Sequence, residues 1–288
     1  MKKAWLVINT FIHSVKFMTL YDMLATAFKI RNVELKIKRA EDITLEIGGK
    51  IKNKPDFCIF WDKDCYLAQR LEGQGIKLFN NGMTIIACDN KILMYEILAM
   101  KGIRIPRTFA APKTFEGFEY NRRDFISTAA KELGLPMVIK EAYGSFGEQV
   151  YLVNTIEEAN KIVDSLGSKD FLMQEYIASS KGRDVRVNVV GGKAVVSMLR
   201  ENENDFRSNI SHGGTGKLFN PGKKFTDLAV KAAKAIGVDF AGVDVLFGPN
   251  GEPIICELNS NPQFGSTYKC TGVNLADAIA DHVLKHLW

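Results

Sequence analysis

The residues with the clearest chemical potential lie in one predicted β-hairpin, which spans residues 238–262. Two apolar runs flank a Gly-Pro-Asn-Gly turn, a pattern typical of paired antiparallel strands. Because side chains alternate between the two faces of a strand, Asp244, Glu257 and Asn259 are predicted to share one face. In the expected register Asp244 lies opposite Ile255 and diagonal to Glu257.

Such a face is unfavourable without a cation. Two carboxylates about 4 Å apart repel each other by about 4 kcal/mol at an effective dielectric constant of about 20. A solvated strand face with scattered polar residues is the alternative, and the apolar neighbours Val243, Val245 and Ile254 argue against it. Mg²⁺ takes few protein carboxylates and keeps positions for phosphate oxygens. The pattern therefore predicts a magnesium–nucleotide site.

Lysine and glycine residues upstream suit a phosphate group. Lys140 ends a predicted apolar strand, directly before a stretch from Gly144 to Gly147 whose backbone N–H groups are open to an anion. This glycine spacing alone is usually a turn, but a lysine in a buried strand needs a partner. Lys91 lies in the first turn of a predicted helix, where the helix dipole disfavours a cation, and taken alone it is interpreted as a surface lysine.

Two polar segments complete the candidate set. Residues 174–177, Gln-Glu-Tyr-Ile, are either an ordinary strand or one that presents its main chain to an adenine, with Asp184 placed for a ribose hydroxyl. Residues 205–209, Asp-Phe-Arg-Ser-Asn, are either a flexible surface loop or one whose arginine binds carboxylate or phosphate. His282 and His286 have no glutamate between them and are interpreted as helix surface rather than zinc ligands.

The composition is that of an ordinary globular protein, with 288 residues, 46% hydrophobic and 25% charged. The net charge of +5 suits an anionic ligand, and no Lys/Arg cluster is dense enough to favour nucleic-acid binding. Five scattered cysteines without a C-x-x-C pair indicate reduced thiols in a cytoplasmic protein. No apolar run reaches transmembrane length, and the first one is interpreted as a strand rather than a signal peptide.

The elements that must position these residues change in character along the chain. Strands alternating with helices in the first 84 residues indicate an α/β domain with a parallel sheet, without the glycine pattern of dinucleotide binding. The helix that follows is predicted to bury Leu93, Ile97 and Met100. Antiparallel hairpins predominate after residue 136, which makes the second half α+β. The predicted domains are residues 1–84, 85–173 and 174–288.

Motifs occur in a defined order: Gln174-Glu-Tyr-Ile, Asp205-Phe-Arg-Ser-Asn, Ala241-Gly-Val-Asp, Glu257-x-Asn-Ser-x-Pro and Thr271-Gly-Val. Together with the lysines and the Gly-rich hairpin, this order resembles the ATP-grasp ligases, in particular the RimK-like glutamate ligases. The resemblance covers roughly residues 84–287, and the Gly-Ser-Phe-Gly loop is closer to the lysine-biosynthesis ligase LysX. The stretch 263–268 departs from the ribosomal-protein ligases. The implied architecture is an ATP-grasp fold after a Rossmann-like (pre-ATP-grasp) α/β domain.

The resemblance also implies roles by position, with ATP and two Mg²⁺ or Mn²⁺ ions as cofactors. The implied metal ligands are Asp244, Glu257 and Asn259. The residues implied to hold phosphate or the activated carboxylate during catalysis are Arg200, Arg207 and Asn209. The residues implied to bind the nucleotide are Lys91, Lys140, Gly144, Ser145, Phe146, Gly147, Gln174, Glu175, Tyr176, Ile177, Asp184, Arg207, Ser208 and Asn209.

The sequence therefore predicts an ATP-dependent carboxylate–amine ligase that works through an acylphosphate. The predicted amine is an acidic amino acid, glutamate first, because residues 205–209 resemble the loop of the RimK-like ligases, which add glutamate. The net positive chain and Arg207, which suits a carboxylate, agree with an acidic substrate. The carboxylate acceptor is a protein C-terminus, a peptide or a small acid, and homo-oligomerisation stays open. A small-molecule kinase and a non-catalytic nucleotide-binding protein are the alternatives.

Overall fold

The structure is a computed structural model that describes residues 2–12, 14–43, 46–118 and 120–287. Its first part is a parallel four-stranded sheet, as the sequence predicts. The elements in chain order are β1 (Lys3–Ile8), α1 (Val15–Ile30), β2 (Glu34–Arg39), β3 (Phe57–Trp61), α2 (Cys65–Gly73) and β4 (Lys77–Phe79). In the spatial order β2-β1-β3-β4, the chain leaves β1 toward β2 on one side and leaves β3 toward β4 on the other. The carboxyl ends of β1 and β3 are therefore the place where open α/β sheets form a ligand crevice.

Two short helices connect this sheet to the rest of the chain, α3 (Gly82–Asp89) and α4 (Lys91–Met100). The prediction that α4 buries Leu93, Ile97 and Met100 is wrong for Met100, which is exposed, whereas Leu93 and Ile97 are partly buried and pack against the core. The fully buried apolar side chains of α4 are Met94, Tyr95 and Leu98. Apolar residues occur on nearly every side of this helix, so their spacing alone does not identify the side that faces the core.

The second sheet is antiparallel and has its own helices. Its elements in chain order are β5 (Thr108–Ala110), α5 (Asp124–Leu133), β6 (Met137–Glu141), β7 (Val150–Val153), α6 (Ile156–Leu166) and β8 (Phe171–Glu175). The spatial order is β5-β8-β6-β7, and β6 and β7 form the predicted Gly-rich hairpin. Side chains from both helices and from this sheet make a separate hydrophobic core.

The third sheet has five antiparallel strands in the order β11-β10-β9-β12-β13. Its elements in chain order are β9 (Arg183–Val190), β10 (Lys193–Glu201), β11 (Thr215–Leu218), α7 (Lys223–Ile236), β12 (Phe240–Phe247) and β13 (Pro253–Asn259). One face packs against α4 and α7. The other face contributes Val190, Val196 and Phe240 to a core shared with the first sheet.

The hairpin of β12 and β13 confirms the shared face but not the predicted register. A β-bulge between Asp244 and Val245 shifts the pairing, so Val245 lies opposite Ile255 and Asp244 lies directly opposite Glu257. Cys256 is the extra residue on β13. Bulges of this kind re-aim side chains and are common beside active sites. The two carboxylates are therefore closer neighbours than a regular hairpin predicts.

The last two helices, α8 (Phe264–Thr271) and α9 (Leu275–Lys285), return to the first sheet and complete the core that it shares with the third. The buried side chain of Asn80 also joins these sheets, donating hydrogen bonds to the carbonyls of Phe240 and Ser260, each over 2.9 Å. The predicted domain boundaries, at 84/85 and 173/174, fall inside α3 and β8. The division into three domains stays a prediction. Among the described residues, no helix combines the length and hydropathy of a membrane span.

Candidate active site

One cavity lies between the Gly-rich hairpin of the second sheet and the polar face of the third. The candidate residues from sequence that line it are Lys91, Lys140, Gly144, Ser145, Gly147, Gln174, Glu175, Tyr176, Ile177, Asp184, Arg200, Arg207, Ser208, Asn209, Asp244 and Glu257. Phe146 and Asn259 lie outside this lining. The structure thus brings segments that are distant in sequence together around one cavity. Ligand binding by each of these residues stays a prediction.

Lys91 is not the surface lysine that its position suggested, since its side chain is only 7% exposed. Its backbone N–H donates to the carbonyl of Ala142, and its Nζ donates to the carbonyl of Gly144 over 3.2 Å. The same Nζ lies 3.7 Å from a carboxylate oxygen of Glu257. The side chain of Asn90 caps α4 by accepting a hydrogen bond from the backbone N–H of Leu93. The side chain of Lys91 extends toward the hairpin. Attraction to this carboxylate offsets the unfavourable helix dipole.

Lys140 is a buried cation with weak partners. Its Nζ lies 3.4 Å from the hydroxyl of Tyr95 and 3.8 Å from the sulfur of Cys256. Burial lowers the pKa of Lys140, whereas Cys256, Tyr95 and Glu257 raise it by more, so the net shift is upward and the ammonium stays charged. An ammonium group has three donors, and neither of these contacts is short. The site therefore favours an anionic ligand.

A row of charged side chains crosses four strands of the third sheet. Arg200 on β10 lies opposite Asp184 on β9, and its Nε donates to Asp184 over 2.7 Å. Arg186, two residues along β9, lies opposite Asp244 and donates to both of its carboxylate oxygens. Arg200 also lies 3.0 Å from Asp244, and Glu257 continues the row on β13. Arg186 belongs to the Asp-x-Arg motif that begins at Asp184, and the sequence assigned it no role, although this spacing places both residues on one strand face.

The partners within this row bear on the roles expected of Asp184 and Asp244. Both oxygens of Asp184 contact Arg200, so its predicted bond to a ribose hydroxyl stays a prediction that this geometry does not favour. Burial raises the pKa of Asp244, but Arg186 and Arg200 lower it by more, so the net shift is downward and the carboxylate is ionised. Glycine at 242 is required beside Arg186, because a Cβ there would lie 2.9 Å from Nη1 of the guanidinium.

The donor set is compatible with a hard cation. A carboxylate has about four lone-pair positions, and Asp244 uses three of them on arginine contacts. Glu257 is 26% exposed, and its ion pair with Lys91 spans 3.7 Å. The buried Nδ2 of Asn259 has no hydrogen-bond partner, and exchange of the two amide atoms would place an oxygen there. Among the described residues, three or more His, Cys, Asp or Glu side chains do not gather as a metal site, so a cation held here would need oxygens from phosphate or water as further ligands.

The Gly-rich hairpin is held mainly by side chains from elsewhere. Arg207 donates to the carbonyl of Gly147 over 2.7 Å, Ser211 donates to the carbonyl of Phe146 over 3.1 Å, and Lys63 donates to the hydroxyl of Ser145 over 2.9 Å. Gly147 has a φ of +81°, which favours glycine. The pairing of β6 with β7 ends at Lys140 and Val150, and the loop between them is held largely by these side-chain contacts, with the backbone N–H of Glu148 donating to the backbone carbonyl of Ser145.

Nucleotide should order this hairpin. We expect the amides of residues 142–149 to exchange hydrogen rapidly in the free protein and more slowly with ATP and Mg²⁺, because phosphate oxygens would accept from them. Hydrogen exchange followed by mass spectrometry measures this. The turn at 248–251, which does not line the cavity, is the internal control. Equal exchange in both states would contradict closure over the nucleotide.

Two further side chains have protein partners that the sequence did not indicate. Nη2 of Arg207 lies 2.7 Å from a carboxylate oxygen of Asp205, and its Nη1 donates to the carbonyl of Gly147, while its role toward a ligand stays a prediction. His282 is not simply helix surface, because its Nε2 lies 2.8 Å from Asp239 and its ring packs edge-on against Phe79. Its polar partner lies on the loop before β12, which a helical pattern cannot reveal. His286 is exposed, as expected.

Comparison with known proteins agrees with this geometry. Residues 88–283 match the model of the RimK-like ATP-grasp domain. A probable alpha-L-glutamate ligase of Vibrio atlanticus is 34% identical over 76% of this chain and 71% of its own length. Beta-citrylglutamate synthase B of Danio rerio is 33% identical over 78% of this chain, which spans only 55% of that protein. The crystal structure of an ATP-grasp RimK domain protein from Sphaerobacter thermophilus superposes with a TM-score of 0.74 at 20% identity, covering 97% of this chain and 98% of the other.

Proposed function

Since the chain belongs to the RimK-like ATP-grasp family, we propose that it joins the amino group of glutamate to a carboxylate acceptor. It is an ATP-dependent, ADP-forming ligase with the ATP-grasp fold, and ATP and Mg²⁺ are its cofactors. Glutamate ligation is the activity named for relatives at 33–34% identity. The acceptor class is a protein C-terminus, a peptide or a small acid.

The observation that carries the proposal is the arrangement of charge around the cavity. Lys91, Lys140, the Gly-rich hairpin, Asp244 and Glu257 all line the cavity, and Nζ of Lys91 lies 3.7 Å from a carboxylate oxygen of Glu257. Buried ammonium groups suit phosphate oxygens, and carboxylates suit the cation that accompanies a nucleotide. Lysines and carboxylates around one cavity therefore suit phosphates and a metal ion that bind together.

The chemistry follows from this arrangement without a nucleophilic side chain. An oxygen of the substrate carboxylate attacks the γ-phosphorus of ATP, the bond to the bridging oxygen breaks, and ADP leaves. The amine then attacks the acyl carbon, the carbon–oxygen bond breaks, and inorganic phosphate and one proton leave. Lys91 and Lys140 would offset the negative charge that moves between these oxygens. Burial raises the pKa of the thiol of Cys256, which lines the cavity, and this disfavours the thiolate that a covalent intermediate on Cys256 would require.

The metal site is proposed from the same residues. Asp244, Glu257 and Asn259 would hold two Mg²⁺ or Mn²⁺ ions, and these would supply positive charge beside the phosphate oxygens. Glu257 is the more open of the two carboxylates, with 26% of its side chain exposed against 5% for Asp244. We therefore expect Glu257 to make the first contact, with Asp244 engaged after an arginine contact lengthens.

A screen of ADP release over amino acids and carboxylates tests the function. We expect release that needs both a carboxylate and an amine, with L-glutamate preferred as the amine. Hydroxylamine added in place of the amino acid should yield a hydroxamate, because it traps an acylphosphate. ADP formed with a stable phosphorylated product and no amide would indicate a kinase. Binding of ATP without any turnover would indicate a nucleotide-binding protein.

Arg207 gives a sharper test of amino-acid selection. We expect Arg207→Lys to lower kcat/KM for glutamate by about 10- to 150-fold, because a charged hydrogen bond contributes about 1.5–3 kcal/mol and lysine cannot replace a planar fork. The assay is amide formation with glutamate, aspartate, glutamine, alanine and lysine. Arg183→Lys, another arginine on the cavity wall, is the matched control.

The pattern of losses separates two roles for Arg207. A loss confined to acidic amino acids would indicate contact with the substrate. An equal loss for every amino acid would assign Arg207 to the phosphates or to the hairpin carbonyl that it contacts. Preference of the unmodified enzyme for a neutral or basic amino acid would contradict the glutamate proposal and leave the ligase chemistry in place.

A further inference from the structure

A second polar site lies at the carboxyl ends of β1 and β3, outside the nucleotide cavity. Asn9 directly follows β1 and Asp62 directly follows β3, and the amide of Asn9 donates to Oδ1 of Asp62 over 3.1 Å. The connections that follow β1 and β3 leave the sheet in opposite directions. Open α/β sheets bind ligands in the crevice that forms between two such strand ends. The nucleotide prediction uses no residue of this crevice.

The polar atoms here are buried and incompletely paired. Asp62 is only 5% exposed, yet its Oδ2 has no hydrogen-bond partner. The indole Nε1 of Trp61 and Oδ1 of Asn261 are also buried without partners. Asn261 belongs to the same cluster, because its Nδ2 donates to the backbone carbonyl of Asp62 over 3.0 Å. Native proteins rarely leave several buried polar atoms unpaired, so this cluster indicates a polar ligand.

The kind of ligand follows from the unpaired atoms. Among the unpaired atoms of Trp61, Asp62 and Asn261, oxygen acceptors outnumber nitrogen donors, and one of these oxygens belongs to the carboxylate of Asp62. The neighbouring cation, Lys63, donates to Asp89 and Ser145 instead. Burial raises the pKa of Asp62, as expected for a carboxylate that lacks a close cation. A ligand with several N–H donors and a positive charge would satisfy the two unpaired oxygens, Oδ2 of Asp62 and Oδ1 of Asn261, and a primary ammonium group fits this description.

The polar cluster is linked to the predicted metal strand along the chain. Asn261 follows Asn259 by two residues, a separation of at most about 7 Å along the chain. The same loop ends at Gln263, which precedes α8, and both polar atoms of its side chain are buried without partners. An amino acid with its ammonium against Asp62 would therefore lie close to the end of the nucleotide site where the acylphosphate forms.

We propose that Asp62, with Asn261 and Gln263, binds the ammonium group of the amino-acid substrate. The assignment rests on the proposed ligase function and specifies which part of the chain recognises the amine. Asp62 is a binding residue in this role. It orients the amino group in its protonated form, before the proton is lost and the amine attacks.

Isothermal titration of the full chain with AMP-PNP and Mg²⁺ tests this assignment. The probes are L-glutamate and glutarate, which differ by the amino group alone. We expect Asp62→Asn to weaken L-glutamate binding by about 10- to 100-fold and to leave glutarate binding unchanged, because only the charged contact is lost. Asp64→Asn is the matched control, because asparagine preserves the cap that Asp64 makes on α2.

The outcomes are distinct. Equal L-glutamate affinity in Asp62→Asn and the unmodified protein would overturn the proposal, as would equal losses for both ligands. Failure of the unmodified protein to bind L-glutamate would instead overturn the glutamate function on which it rests. Asp62→Asn should keep or raise the unfolding temperature, since it removes a buried charge. If Asp62→Asn does not fold, Gln263→Met is the second variant, because the side chain of Gln263 makes no capping hydrogen bond on α8. The proposal then requires the same selective loss of L-glutamate binding in Gln263→Met.

Discussion

Replacing Glu257 with glutamine should reduce ADP formation by at least about 100-fold, the scale seen when one electrostatic contact to a transition state is removed. Glu257 lies opposite Asp244 across the bulge and faces the cavity beside Lys91. Glutamine keeps the shape of the side chain and removes the charge that a cation needs. Steady-state ADP release at several Mg²⁺ concentrations is the measurement.

Stability should change little in this variant. Arg186 and Arg200 already offset the charge of Asp244, so carboxylate repulsion is not a large unfavourable contribution in the folded protein. Glu252→Gln is the matched control, because Glu252 lies on the same hairpin and pairs with Arg104 at the surface. Normal magnesium-dependent turnover in Glu257→Gln would contradict the metal assignment.

Replacing Lys140 with methionine should weaken ATP binding by about 100- to 1,000-fold. The buried ammonium lies 3.4 Å from the Tyr95 hydroxyl and 3.8 Å from the Cys256 sulfur, and these long contacts leave hydrogen-bonding capacity available to phosphate. Two charged hydrogen bonds of about 1.5–2 kcal/mol each, in the lower part of the usual range, account for a loss of this size. Methionine occupies a similar volume without a charge, and the unfolding temperature is measured alongside.

Calorimetric titration with AMP-PNP and Mg²⁺ measures the affinity of Lys140→Met. Lys169→Met is the matched control, because Lys169 is an exposed lysine close to the same sheet that pairs with Glu141. Unchanged nucleotide affinity in Lys140→Met would remove this residue from the phosphate site. A fall in unfolding temperature together with the loss would indicate a structural role for the charge.

The sequence predicts most of the architecture because local signals agree with one another. Alternating strands and helices predict the parallel sheet, and a turn between two apolar runs predicts the hairpin that carries Asp244 and Glu257. The bulge at Cys256 was not predictable, because a single extra residue leaves the apolar pattern of β13 almost unchanged. That one residue alters which side chain lies opposite Asp244.

The charged row shows the other limit of sequence reasoning. Arg186 was assigned no role because its partner, Asp244, is 58 residues away and the pairing depends on sheet order. Lys91 was interpreted as a surface residue because nothing local shows that the hairpin approaches its helix. Spacing along one element indicates which residues share a face, but only strand order indicates which faces meet.

The shared core between the first and third sheets bears on how the molecule unfolds. Helix α9, from the end of the chain, packs with α1 and with Phe240 in a single apolar cluster, whereas the middle sheet has a core of its own. We therefore expect α1 and α9 to unfold together, although they lie far apart in sequence. We expect residues 108–175, which have a separate core, to open independently, because local unfolding follows cores rather than chain order. A truncated chain that lacks the first sheet would leave the apolar face of α9 in water, whatever remains of the nucleotide site.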